Sequence, residues 1–209
     1  MKIAVFGASG PTGREFVRQA LDAGHEVTAF VRNPGAFELR HERLRVVVGD
    51  TMRDDAKVAE AVRGQDAVVS ALGRRNSLKS ANLIRTSLKS IVSAMERGGV
   101  RRLLVVSAFG VGESERDAPL VSRIMFRLLL TDLFADKKAA EEDLKRSSVD
   151  WTIAYPVMLT NGPLTGKYRV GERLALSGVP KIARADVAHF ILSQLESRDY
   201  VRKIAILSY

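Results

Sequence analysis

Cysteine is missing from this chain of 209 residues, which excludes thiol catalysis, thiolate metal sites and a disulfide framework and fits a reducing compartment. Histidine is scarce: His25, His41 and His189 are scattered without ligand spacing, so no metal site is expected. No apolar run is long enough to span a bilayer, and a strand begins at Lys2, leaving no room for a secretory leader. The expectation is a cytoplasmic protein. Linkers, repeats and low-complexity tracts are lacking too, so residues 1–209 read as a single domain, long enough to bury roughly 70% of the surface its unfolded chain exposes.

Acidic residues are outnumbered, 24 against 33 Lys and Arg, for a net charge of +9. The basic residues are nevertheless dispersed. Short clusters at Arg40 to Arg45, Arg74-Arg75 and Arg101-Arg102 lie between apolar strands, without aromatic interleaving, which argues against nucleic acid as a partner. Leu120 to Phe134 is amphipathic and reads as a helix over a cleft or an oligomer face rather than a membrane surface helix; monomer and homodimer both stay open.

What the chain does have is Gly7-Ala8-Ser9-Gly10-Pro11-Thr12-Gly13, directly after the apolar run Ile3 to Phe6 and directly before a helical pattern carried by Phe16, Val17, Ala20 and Leu21. Glycines there permit a tight strand-to-helix turn and close approach of a pyrophosphate, while the helix N-terminus offers free N–H groups. Gly7, Ser9, Gly10, Pro11, Thr12 and Gly13 are the candidate cofactor cradle, Pro11 suits a first helical turn, and Gly24 a helix stop. A second strand, Glu26 to Val31, closes with Arg32, 19 residues past Gly13, where an NAD site usually carries an acid for the ribose 2′-hydroxyl. An arginine favours the 2′-phosphate of NADP instead. One charge-assisted hydrogen bond contributes about 1.5–3 kcal/mol, on the order of ten- to a hundredfold preference for NADPH. Asn33-Pro34 marks a turn.

The rest repeats a β-then-α rhythm: strands at Leu44 to Val48, Gln65 to Ala71, Arg101 to Ser107, Asp150 to Tyr155 and Ile204 to Leu207, with helices at Asp54 to Arg63, Ser80 to Arg97 and Ala183 to Glu196, and two helical segments between Pro119 and Arg146. This predicts an α/β fold, a Rossmann-type doubly wound parallel sheet with a small C-terminal substrate-side region. Ligands then lie beyond the carboxyl ends of the strands. Those positions hold Asp50 and Thr51, with Asp50 either accepting from an adenine amino group or capping its own loop. They also hold Leu72, Gly73 and Arg74, which can line the nicotinamide ribose, and Ser107, Ala108 and Phe109, where a hydroxyl faces the nicotinamide or is satisfied by backbone. Tyr155 and Pro156 supply a wall or backbone groups that orient the ring.

In these strings the chain resembles the atypical short-chain dehydrogenases with NAD(P)H-binding (NmrA-like) domains, and within them the flavin reductase or biliverdin-IXβ reductase branch. The resemblance rests on Gly7 to Gly13, Phe30-Val31-Arg32, Val46 to Asp50, Gly64 to Val68, Leu72 to Asn76, Ser107-Ala108-Phe109 and Pro163 to Tyr168. It implies NADPH with its pyrophosphate on Gly10 to Gly13, its 2′-phosphate on Arg32, its adenine near Asp50 and its nicotinamide near Ser107 and Pro156. Asp136-Lys137-Lys138 is similar to the segment bearing the cleft lysine of related members, which makes Lys137 a catalytic or cofactor-contacting candidate beside Ser107; the alternative is a solvated helix charge. The Tyr-x-x-x-Lys pair of ordinary short-chain dehydrogenases is absent, because Leu159, Glu172 and Ile204 stand four residues after Tyr155, Tyr168 and Tyr200. Met158 stands where the branch has a histidine, which argues against biliverdin more than against flavin. Ala36 replaces a second 2′-phosphate arginine, lowering the expected NADPH selectivity.

The implied reaction is hydride transfer from NADPH to a planar acceptor: a flavin, quinone or tetrapyrrole. A flavin suits a site without the tyrosine acid, since water can protonate the reduced ring. Ser107 orients carboxamide or acceptor, Lys137 contacts ribose hydroxyls or stabilises negative charge, and Phe109, Met158 and the Leu120 to Phe134 helix wall the pocket. Two alternatives stand beside it: a non-catalytic NADP(H)-sensing regulator, and a sugar-nucleotide epimerase or reductase, for which about 50 residues after Pro156 leave little room.

Overall fold

In a computed structural model that describes residues 1–73, 82–112 and 131–209, strand and helix alternate from the first residues onward. The order is β1 (Lys2–Phe6), α1 (Pro11–Asp22), β2 (Glu26–Val31), a 3-10 turn at Pro34–Ala36, β3 (Leu44–Val48), α2 (Asp55–Val62), β4 (Ala67–Ser70), α3 (Leu83–Gly98) and β5 (Arg102–Val106). Next come α4 (Thr131–Lys145), β6 (Asp150–Pro156), three short strands β7 (Met158–Thr160), β8 (Arg169–Gly171) and β9 (Lys181–Ala183), then α5 (Arg184–Ser193) and β10 (Lys203–Ser208).

Eight strands form one sheet in the order β3-β2-β1-β4-β5-β6-β10-β8, parallel except for the β10–β8 pair, and β7 pairs with β9 beside it. Chain direction across the sheet reverses between β1 and β4, the switch point where doubly wound sheets bind ligands. Central strands are covered on both faces, which is why Ile3 to Phe6 and Ala67 to Val69 are unbroken apolar runs, all fully buried. Edge strand β3 has one open face: Val46 and Val48 are exposed although Val47 is buried. Helix α1 packs against α5, and α3 packs between α2 and α4.

The basic clusters at Arg40 to Arg45 and Arg101-Arg102 serve the fold. Arg43 donates to the Leu21 carbonyl and Arg45 pairs with Glu60. Arg102 donates to the carbonyls of Gln194 and Asp150, tying the end of α5 to β5 and β6, and burial pulls its guanidinium down to about 10. Arg74-Arg75 and the amphipathic stretch up to residue 130 lie outside the described residues. No helix among the described residues is long and apolar enough to cross a membrane.

Candidate active site

Gly7 leaves β1 with φ +80°, and a Cβ there would stand 2.5 Å from the Ala71 carbonyl oxygen at the end of β4. A Cβ on Gly13 would stand 2.2 Å from the carbonyl oxygen of Gly7. No side chain fits at either place, so the loop and the first turn of α1 close on each other, backbone against backbone. Pro11 opens α1, and Gly10 offers no side-chain cap. The first-turn amides thus have no intrahelical partner and face outward as an anion cradle. A pyrophosphate fits this donor set, and the dinucleotide would be held by Gly7 to Gly13.

Arg32 is exposed at the end of β2 and has no ion-pair partner among the described residues. The turn beyond it is fixed by the Asn33 side chain, which accepts from Gly35 N–H at 3.1 Å. Arg14, which sequence reasoning passed over, links the two halves of this end: Nε donates to the Ser9 carbonyl at 2.9 Å and Nη2 donates to the Ala36 carbonyl. Its remaining N–H groups are free to serve a ligand. A guanidinium therefore lies in the region where Ala36 left one missing.

Asp50 turns partly inward, Oδ1 accepting from Met52 N–H at 3.0 Å as a loop cap, while the other carboxylate oxygen has no partner among the described residues. Thr51 is buried and its hydroxyl bonds to Ser87 of α3 at 2.7 Å, so it anchors the loop rather than facing solvent. Leu72 is half-buried and Gly73 exposed beyond β4. Arg74 lies outside the described residues. Ala108 and Phe109 follow β5 into a turn in which Val111 N–H donates to the Ala108 carbonyl and Phe109 N–H to the Pro156 carbonyl at 3.0 Å, tying the exits of β5 and β6 together. Phe109 is buried, whereas Met158 is half exposed.

The surprise lies beneath Ser107. Its hydroxyl donates to Glu141 Oε1 at 2.5 Å, and the hydroxyl of Tyr155 donates to Glu141 Oε2 at 2.5 Å. Tyr155 is fully buried, so its ring underlies the site and forms no wall of it. Burial pushes the Glu141 carboxyl up; the hydrogen bonds from Ser107 and Tyr155, and the Lys137 charge, only partly oppose this. Lys137, one helical turn earlier, is only 9% exposed, with no hydrogen-bond or ion-pair partner among the described residues. Burial pulls its ammonium down to about 8, against the charges of Glu141 and Asp136. Asp136 caps α3, accepting from the Ile84 and Arg85 amides at 3.0 Å each. Of the three neighbouring charges at 136–138, only Lys138 is exposed.

The signal for Glu141 was present. Asp136, Lys137, Ala140, Glu141 and Leu144 form the buried stripe of α4 at helical spacing, and acidic and basic residues on such a stripe are expensive unless they serve a site.

At the C-terminal end, buried Asp186 accepts from the amides of Thr165 and Gly166 and from the hydroxyls of Thr165 and Tyr209, which fixes the Pro163 to Tyr168 loop. Burial pushes its carboxyl up, and those hydrogen bonds together bring it below the usual carboxylate range. Tyr168 bonds to His189 Nδ1 at 2.7 Å, and burial pushes its phenol up to about 12.

Comparison with known proteins agrees with this fold. The uncharacterized protein YwnB of Bacillus subtilis (strain 168) is 29% identical over 210 residues, covering 96% of this chain and 94% of its own. A crystal structure from Burkholderia pseudomallei shares 30% identity and a TM-score of 0.84 over the whole of both chains. ChuY, an anaerobilin reductase from Escherichia coli O157:H7, superposes with a TM-score of 0.82 at 24% identity, covering 99% of this chain and 96% of its own, a likeness of fold. The family model for NAD(P)H-binding proteins matches residues 7–198. With its glycine cradle at the sheet's switch point, the chain belongs to the NAD(P)H-binding family.

Proposed function

We propose that the protein is an NADPH-dependent reductase that passes hydride to a planar conjugated acceptor such as a flavin, a quinone or a tetrapyrrole. The reading is carried by one observation: a glycine cradle with Arg32 and Arg14 at one end of the strands' carboxyl edge, and Ser107 above the buried Glu141 and Lys137 at the other. Bound there, NADPH supplies the hydride. Arg32 and Arg14 bind the 2′-phosphate, and the first-turn amides of α1 bind the pyrophosphate. Ser107 orients the reacting ring edge, held in turn by Glu141. Lys137 offers positive charge where negative charge develops on the acceptor, at a mostly buried position. A pure sensor has no need of a buried ammonium at that spot.

The test is the initial rate of NADPH oxidation with FMN as acceptor, beside NADH and beside Arg32→Ala. Saturable turnover that favours NADPH, with the preference lost in the variant, is expected. NADPH binding without turnover on any acceptor overturns the reductase reading in favour of a ligand-dependent regulator.

A further inference from the structure

Glu141 gathers one hydroxyl from each of two neighbouring strands, Ser107 beyond β5 and Tyr155 on β6, one on each carboxylate oxygen. Above this pair runs the backbone of Gly112, where an added Cβ would lie 3.3 Å from both Glu141 Oε2 and the Tyr155 hydroxyl. The carboxylate is thus roofed by main chain. Lys137 lies one turn away on the same face of α4 and is nine-tenths buried. An ammonium placed there without a hydrogen-bond partner among the described residues costs stability.

We propose that Glu141 is a positioning residue that holds Lys137 charged as the proton donor of the reduction, and that the acceptor is a conjugated carbonyl compound, whose hydride adduct must be protonated. This rests on the reductase reading and narrows it. In the step, a C–H bond forms at the carbon β to the carbonyl and the C=C pair shifts to the oxygen. An N–H bond of Lys137 then breaks to protonate the enolate, and water returns a proton to the amine. The acceptor gains two electrons, NADPH loses two, and one proton is consumed. Reduced flavin is a weak base that takes its proton from water, so a flavin leaves this cluster without a task.

The charged and titratable neighbours fit the assignment. Asp136 is committed to the α3 amides, Arg85 of α3 is turned to Asp143, and Lys145 acts on Glu141 from the far end of the helix. Among the described residues, Ser107 and Tyr155 come from the strands, both donating to Glu141. Glu141 and, after it, Asp136 sustain the Lys137 charge, and with burial bringing the lysine to about 8 it titrates within reach of neutral pH, as a proton donor should.

The experiment has two readouts: the Lys137 titration, followed by 13Cε NMR in the cofactor-free protein, and the pH profile of NADPH oxidation with cyclohexenone, FMN and a soluble quinone. Enone reduction is expected to fall as pH rises through about 8. Glu141→Gln should move both that limb and the NMR titration down by about one pH unit or more, and Glu141→Asp, which keeps the charge, should bring them back. Should Glu141→Gln fail to fold, Tyr155→Phe, which removes one hydrogen bond from the carboxylate, should move the NMR titration in place of it. An unmoved lysine titration overturns the role of Glu141. NADPH oxidation with FMN but with neither the enone nor the quinone overturns the acceptor class and leaves the reductase reading standing. No oxidation with any acceptor despite NADPH binding overturns the reductase reading itself.

Discussion

Replacing Lys137 with methionine should stabilise the protein while disabling it. The side chain keeps its length and loses its charge. Holding the ammonium in the fold lowers its proton affinity from 10.5 to about 8. At about 1.4 kcal/mol for each tenfold change, this is about 3 kcal/mol that the folded state gives up at neutral pH. The sign follows from proton linkage. Between pH 8 and 10.5 the unfolded chain binds more protons at this site than the native protein does, so wild-type stability gains with rising pH across that window. Lys137→Met lacks the group, so its advantage is greatest at pH 7 and fades toward pH 10.5. Other basic groups titrate equally in both proteins and cancel in the difference. Urea unfolding at pH 7 and pH 10 measures the gap, and the melting temperature at pH 7 should rise by about 6–12 °C for a domain of this size. Enone reduction should fall about 10²- to 10⁴-fold, the ordinary contribution of a general acid. A variant no more stable than wild type at pH 7, or a gap that does not shrink with pH, refutes the idea of an ammonium buried at a cost to the fold.

Arg32→Ala should cut the ratio of kcat/KM for NADPH over NADH by about ten- to a hundredfold, and Arg14→Ala should raise KM for NADPH by loosening the Pro34–Ala36 turn from the glycine loop. Gly13→Ala places a Cβ 2.2 Å from the Gly7 carbonyl oxygen, so NADPH should no longer raise the melting temperature of the folded variant. Asp186→Asn should cost about 3 kcal/mol in denaturant unfolding, because a buried acceptor of several hydrogen bonds becomes partly a donor. The depressed carboxyl stabilises the fold above the unfolded carboxylate range and loses that contribution as pH falls through its native value, so the variant's acid limb should be shallower.

The glycine loop and the alternation of strand and helix were legible because their signals are local: turn chemistry and apolar runs of strand or helix period. Lys137 could be picked out by resemblance, but whether it was buried or solvated depended on α4 lying over β5 and β6. Glu141 escaped for the same reason, since its partners Ser107 and Tyr155 lie 34 and 14 residues away and no window joins them. Asp136 as the cap of α3 and Arg14 as a clasp on Ala36 are likewise contacts across the fold. Strands β7, β8 and β9 have three residues each, too short to show a period. Tyr155 was expected with Pro156 to supply a wall or backbone groups for the ring; its side chain is fully buried, because a strand interior covered on both faces leaves it nowhere else to go.

The most direct measurement is a single-turnover experiment: excess protein mixed with NADPH and then with an enone, a quinone or FMN, following the dihydronicotinamide absorbance. The expected result is exponential loss of that absorbance at a rate that saturates with acceptor and is slower with NADH. NADPH that binds, as shown by a rise in melting temperature, yet keeps its absorbance with every acceptor would contradict the account of this site as a reductase.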